Sequence, residues 1–208
     1  ELQYVGACLL ARYYLLTGHM VDCRKTLSEI EEKARQRGAR RIVQNIHALN
    51  CRVLLWAGRV GDATLWMEQE PPEEVRFNVL ERYRYNTRIR VYLAQQRYDK
   101  AALLLERLRS YANMENRPWL QMESNILGAI IRRRVGDEVW KTRLTDAIRQ
   151  AESYQFVRLF SREGTALLPL LEELGCPEGI SQEFWDRVVQ KTAKMAKLYP
   201  EYLAVHQP

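Results

Sequence analysis

Histidine is nearly absent from this sequence, and with it most familiar catalytic chemistry. The three present, His19, His47 and His206, are scattered among a turn, a helix and a tail, so neither a Ser-His-acid triad nor a histidine metal set can be assembled. Asp and Glu fall mainly on polar helix faces, and no pair of carboxylates marks a cleft. The chain therefore reads as no enzyme, with no catalytic residue, no metal site and no cofactor. Cysteine is equally sparse: Cys8, Cys23, Cys51 and Cys176 are widely spaced and contain no Cys-x-x-Cys pair. That pattern excludes a disulfide framework and suits a reducing, cytoplasmic compartment, with Cys8 and Cys23 expected as small buried thiols on adjacent helices. No apolar run approaches the roughly 18 residues of a membrane span, and no leader sequence opens the chain. No membrane is expected as a partner. Glu1 already lies inside a helical pattern, which reads as an excised piece of a longer protein.

Lysine is scarce too, with 7 against 25 arginines, and the net charge is +6. An arginine-rich surface of this kind either meets acidic partners or is simply a solvated face. What the chain has in quantity is helical periodicity. Residues 83–111, YRYNTRIRVYLAQQRYDKAALLLERLRSY, read as two helices and one tight turn at Gln95-Gln96-Arg97-Tyr98. Tyr85, Ile89, Tyr92 and Leu93 share one face of the first helix, and Ala101, Leu104, Leu105, Leu108 and Ala112 share one face of the second. Neither stripe is wide enough to stabilise a lone helix, so the pair needs similar neighbours.

Those neighbours are present. Residues 2–16 and 22–37 form a hairpin closed at Gly18-His19, with Gly38 stopping its second helix. Residues 40–57 and 63–69 form another around Gly58, its second helix cut short by Pro71 and Pro72. A fourth starts at Pro118, turns at Gly136-Asp137 and continues over residues 139–153. Aligned on Gly18, Gly58, Gln96 and Gly136, the four units show bulky Tyr14, Leu54 and Tyr92 four places before the turn. Small Cys23, Ala63 and Ala101 stand five places after it, as close helix crossing demands. The fourth unit breaks this rule with Arg132 and Lys141.

Residues 154–164, YQFVRLFSREG, are apolar and aromatic without a clear helical period, and residues 165–174 form a short helix. Ser181 then caps a last helix to about Tyr199, with Phe184, Trp185, Val188, Val189 and Met195 inward. The expected organisation is an all-α, right-handed superhelix of tetratricopeptide-like hairpins: four repeats over residues 1–153, capping helices over 154–199 and a linker over 200–208.

Three stretches go past a generic helical repeat. RYDKAALLLERLRSYA over 97–112, the Gly136-Asp137 turn, and AESYQFVRLFSREGTALLPLLEEL over 151–174, with Phe156-Val157-Arg158-Leu159-Phe160 and Glu163-Gly164 its most specific part, resemble the tetratricopeptide-like region of MalT-type LuxR regulators. The resemblance covers nearly the whole chain and departs from the family pattern at Trp140 and Lys141. It implies a segment lying between a nucleotide-binding module and a helix-turn-helix, sensing a small-molecule inducer or a protein partner. Neither flanking module is in this sequence, which lacks a Gly-x-x-x-x-Gly-Lys-Ser/Thr loop, so DNA would be met only through the absent helix-turn-helix.

Candidate binding residues follow from the register. Arg12, Arg52 and Arg90 each stand six before a turn, on first helices that line the concave face of such arrays, with Ile130 in the fourth place. A ladder of guanidiniums suits carboxylates or phosphates; each arginine can equally pair with a neighbouring Glu. Ten places before the turns, Cys8, Ala48 and Asn86 leave room for a ligand. Tyr83, Asn86 and Trp56 add stacking and hydrogen bonds, or belong to the core. Arg132-Arg133-Arg134 with Lys141 and Arg143 is the densest basic cluster, open to nucleic acid, to an acidic partner or to solvent alone. A generic peptide-binding adapter is the alternative function, and Tyr4, Val5 and Leu9 offer an apolar face for a preceding repeat or a homo-oligomer.

Overall fold

Each helix-to-helix junction described in the repeats turns on one residue with positive φ. The computed structural model describes residues 2–70 and 82–204. At those junctions the left-handed positions are Gly18, Gly38, Gly58, Gln96, Asn116, Gly136 and Gln155. At each, the next residue donates its backbone N–H to the carbonyl five places back, as in His19 to Tyr14 at 2.8 Å, Arg59 to Leu54 at 2.9 Å and Arg97 to Tyr92 at 2.9 Å. This bond satisfies a carbonyl that the helix end would orphan, and it reverses the chain in three residues. The Pro71-Pro72 connection expected from the sequence, and the tail from residue 205, lie outside the described residues.

The described chain forms eleven α-helices and no strand: α1 Leu2–Leu16, α2 Met20–Gln36, α3 Arg40–Trp56, α4 Val60–Gln69, α5 Arg82–Ala94, α6 Tyr98–Met114, α7 Pro118–Arg134, α8 Val139–Tyr154, α9 Arg158–Ser161, α10 Gly164–Leu174 and α11 Gln182–Leu198. Helices α1 to α8 pack as successive tetratricopeptide-like hairpins, with the short α4 letting α3 reach α5 directly. The small positions work as the register requires, since Cys23, Ala63 and Ala101 are wholly buried where the second helix of each hairpin crosses the first. In the fourth hairpin Lys141 is exposed, and Trp140, one residue earlier, fills the crossing instead.

Helix α5 departs from the amphipathic pattern. Every residue from Arg84 to Val91 is buried, three arginines included. A surface helix of this design would expose Asn86, Thr87 and Arg90; here the opposite face is covered by the C-terminal segment, which returns across the array. The aperiodic stretch contains the single-turn helix α9, and Gly164 follows with φ +30. A Cβ at Gly164 would lie 3.2 Å from the Ala196 nitrogen and 3.3 Å from the Met195 carbonyl carbon, so its absence lets α11 approach. The Ser181 hydroxyl accepts from Phe184 N–H at 3.4 Å at the start of α11.

The chain after α11 is anchored rather than free. Tyr199 donates its hydroxyl to the Leu15 carbonyl at 2.6 Å, Arg134 Nη2 donates to the Leu203 carbonyl at 3.0 Å, and Tyr202 and Leu203 are buried. Tyr199 and Tyr202 lie against Trp56, and the Trp56 indole N–H donates to the Arg162 carbonyl at 3.2 Å. The first two hairpins and the C-terminal helices therefore close on one another through residues far apart in sequence.

Two substitutions probe this geometry. Gln96 is an exposed, non-glycine residue at φ +57. Gln96→Gly should stabilise by about 1 kcal/mol and raise the melting temperature by about 2–4 °C in a dichroism melt. Gly58→Ala should lower it, because the added Cβ would meet Glu201 Cβ at 2.7 Å at a backbone φ of +70. Equal melting temperatures for Gly58→Ala and the parent would mean that the Tyr199–Leu203 segment is not held against the second hairpin.

Candidate functional site

A buried carboxylate organises the inner side of the array. Glu163, at the α9–α10 junction, is 1% exposed and receives Arg90 of α5 through Nη2 at 2.5 Å and Nε at 3.2 Å. Arg90 Nη2 also reaches Glu123 Oε1 of α7 at 3.0 Å, and its Nη1 donates to the Asn86 carbonyl at 2.9 Å. Asn86 Nδ2 donates to the other Glu123 oxygen at 3.2 Å, and Tyr202 donates its hydroxyl to Glu163 Oε2 at 2.7 Å. Burial disfavours the charged forms of both main partners. Their mutual attraction and hydrogen bonds outweigh it, holding the Glu163 pKa below the ordinary carboxylate value and the Arg90 pKa well above its own.

Beside this network opens a cavity of about 410 Å³, lined from α1 by Arg12, from α3 by Arg52, from α5 by Arg82, Tyr83 and Asn86, from the α6–α7 region by Tyr111, Arg117, Trp119 and Glu123, and from the α9–α10 junction by Arg162. Arg52 is 4% exposed, its guanidinium stacked 5.6 Å from the Trp56 ring centroid and 5.4 Å from that of Tyr83. Its Nη2 stands 3.9 Å from Glu163 Oε1, beyond hydrogen-bond reach, and neither Nε nor Nη2 has an acceptor. Arg162 stacks on Trp119 at 5.4 Å. Burial, together with repulsion from Arg52 and Arg12, pulls the Arg162 pKa down to about 10. The site is an aromatic-walled pocket whose cations repel one another, a form suited to binding and holding an anion. The described residues contain no cluster of three or more His, Cys, Asp or Glu able to hold a metal.

The family model for the MalT-like TPR region matches residues 3–175. The chain belongs to this family. No curated protein and no solved structure matches it. In this MalT-like TPR region the match spans Arg12, Arg52, Arg90, Glu123, Arg162 and Glu163, whereas Tyr202, which completes the shell of Glu163, lies beyond it.

Of the residues the sequence singled out in this MalT-like TPR region, Arg12, Arg52, Tyr83 and Asn86 come together around the cavity. Trp56 is 7% exposed and packs in the core, also lining a smaller adjoining cavity with Arg12 and Arg52. Arg90 does not face open space: at 1% exposure it is occupied by Glu163 and Glu123, so the ladder divides into one internally paired rung and two rungs at the cavity. The basic run is also engaged, with Arg132 bonded to Asp137, Arg133 to Glu173 and Arg134 to the Leu203 carbonyl. Arg162, Glu163 and Glu123 were missed. The available signal was the acid of Ser161-Arg162-Glu163-Gly164, placed in an apolar, aromatic stretch with no helical period.

Glu163→Gln should destabilise the protein by about 3 kcal/mol, because buried Arg90 then keeps Glu123 as its one described counter-charge. The folded pKa of Glu163 lies below the usual ~4.3, so its contribution is full above that value and is lost as pH falls through the folded pKa. Urea-unfolding midpoints measured from pH 7 down to about pH 3 should fall less steeply in Glu163→Gln than in the parent. Parallel acid profiles would mean that the Glu163 pKa is the same in the folded and the unfolded protein.

Proposed function

We propose that this chain is the sensing segment of a MalT-like, LuxR-family transcription regulator and that an inducer or partner binds in the inner cavity around Arg52. The observation that carries the reading is the cavity's construction from separate parts of the array, α1, α3, α5, the α6–α7 region and the α9–α10 junction. An occupant touching all of them stabilises one placement of the C-terminal helices against the first hairpins. Only a ligand that discriminates between two such arrangements can pass a signal to attached modules, and a site divided in this way provides that discrimination. The cavity volume falls within the usual range for small-molecule sites.

Protein-interaction adapter is the second reading. It is favoured by Val5, Leu9 and Tyr13 of α1, which are half exposed or more and form an apolar row on an outer helix. The same row suits a homo-oligomer.

A thermal-shift screen against oligosaccharides, nucleotides, amino acids and acidic peptides separates the two. A cavity ligand at a hundred times its dissociation constant should stabilise by about 2.7 kcal/mol, and Arg52→Ala should remove that stabilisation. A hit that persists in Arg52→Ala would place binding elsewhere, and a response to peptides alone would favour the adapter.

A further inference from the structure

The inner cavity gathers more cations than acids: Arg12, Arg52, Arg82, Arg117 and Arg162 line it with Glu123, and Glu163 stands 3.9 Å from Arg52. Arg52 forms its floor, with Nε and Nη2 unbonded, and among the described residues no carboxylate pairs with Arg12 or Arg162. Glu123, the acid in the lining, has its oxygens taken by Arg90 and Asn86. The basic character continues beyond the main cavity. A smaller cavity of about 50 Å³ shares Arg12, Arg52, Tyr83 and Arg162 with the first, and shares Arg158 and Met195 with a third of about 510 Å³. That third cavity is lined by Arg158, Arg187, Lys191 and Lys194, with Trp119 and Phe156 as its aromatic walls and no Asp or Glu among its lining residues.

Three guanidiniums converging on one space present more N–H donors than a single carboxylate can accept, whereas the oxygens of a phosphate can accept from several forks at once. Guanidiniums already stacked on Trp56, Tyr83 and Trp119 are held for such bonding with little further loss of side-chain freedom. We propose that this trough binds a phosphorylated small molecule carrying at least two negative charges, its phosphates held by Arg52, Arg162 and Arg12 and its organic part lying against Trp119 and Tyr83. The proposal rests on the reading of the inner face as a sensing site and specifies the chemistry of what is sensed. Binding would supply counter-charge to Arg12, Arg52 and Arg162 and draw the Arg162 junction toward α1 and α3.

Isothermal titration of the full chain with sodium pyrophosphate and with adenosine diphosphate, at ionic strength matched with chloride, tests it. Both should bind, and Arg162→Gln and Arg12→Gln should each weaken binding by about tenfold or more. Arg133→Gln, at an exposed residue paired with Glu173 outside the trough, should change it by no more than about twofold. Removing Arg162 leaves no described acid unpaired, so the unliganded Arg162→Gln protein should melt no lower than the parent, which separates lost binding from lost folding. Failure of both anions to bind, or binding by Arg162→Gln and Arg12→Gln as tight as the parent's, overturns the proposal. If neutral oligosaccharides or acidic peptides instead stabilise the protein through Arg52, the phosphate assignment falls and the sensing role stands. If nothing in either set of ligands binds, both fall.

Discussion

The contact on which the arrangement depends is the buried pair of Glu163 and Arg90. A pair removed from water in this way contributes little net stability, because the cost of desolvating both groups is close to their attraction. What it contributes is placement. Arg90 sits in the middle of the central helix α5, and Glu163 sits at the junction where the C-terminal segment enters the array. Neither group can be left alone without a penalty far larger than the net gain from pairing. The C-terminal helices are thus tied to the inner side of the hairpins at one defined point, and the Tyr202 hydroxyl and Glu123 complete the shell around it.

That pairing also determines what remains free. Among the described residues, Glu163 and Glu123 are bonded to Arg90, Asn86 and Tyr202, and Arg52 and Arg162 lie against aromatic faces. Cation–π stacking orients a guanidinium but leaves its in-plane N–H donors open. The contrast between Arg90 and Arg52, one repeat apart in the same register, shows how one acid separates a fully bonded guanidinium from one with unbonded donors.

The hairpins were legible because their determinants are local. Gly18, Gly58 and Gly136 announce left-handed turns by residue type, and Gln96 could be placed only because the repeat spacing required a turn there. The C-terminal return was not legible. Nothing local to Tyr199 indicates that its hydroxyl meets the carbonyl of Leu15, and a helix such as α5 carries no amphipathic warning that both faces are covered. Periodicity reports the apolar face of a helix. It is silent about a polar face buried against partners from elsewhere in the chain, which is why Arg90 read as a groove residue and Glu163 did not read as its counter-ion. The register nonetheless brought Arg12 and Arg52 into the same candidate site, because equivalent positions of stacked repeats share a face whatever covers it.

Closure of the array through residues 199–203 changes what a repeat protein of this kind can do. An open solenoid deforms gradually, since each unit touches only its neighbours. Here Trp56, Tyr199 and Tyr202 join the second hairpin to the C-terminal segment, while Leu15 accepts from Tyr199 and Arg134 holds Leu203. Movement at one hairpin must then be shared by the others or break these contacts. The hairpins are thereby coupled through the C-terminal segment, and the cavity lies where the two parts meet. Arg12 and Arg52 repel Arg162 at that meeting point, while the bonds of Glu163 to Arg90 and Tyr202 tie the C-terminal segment to α5 beside it.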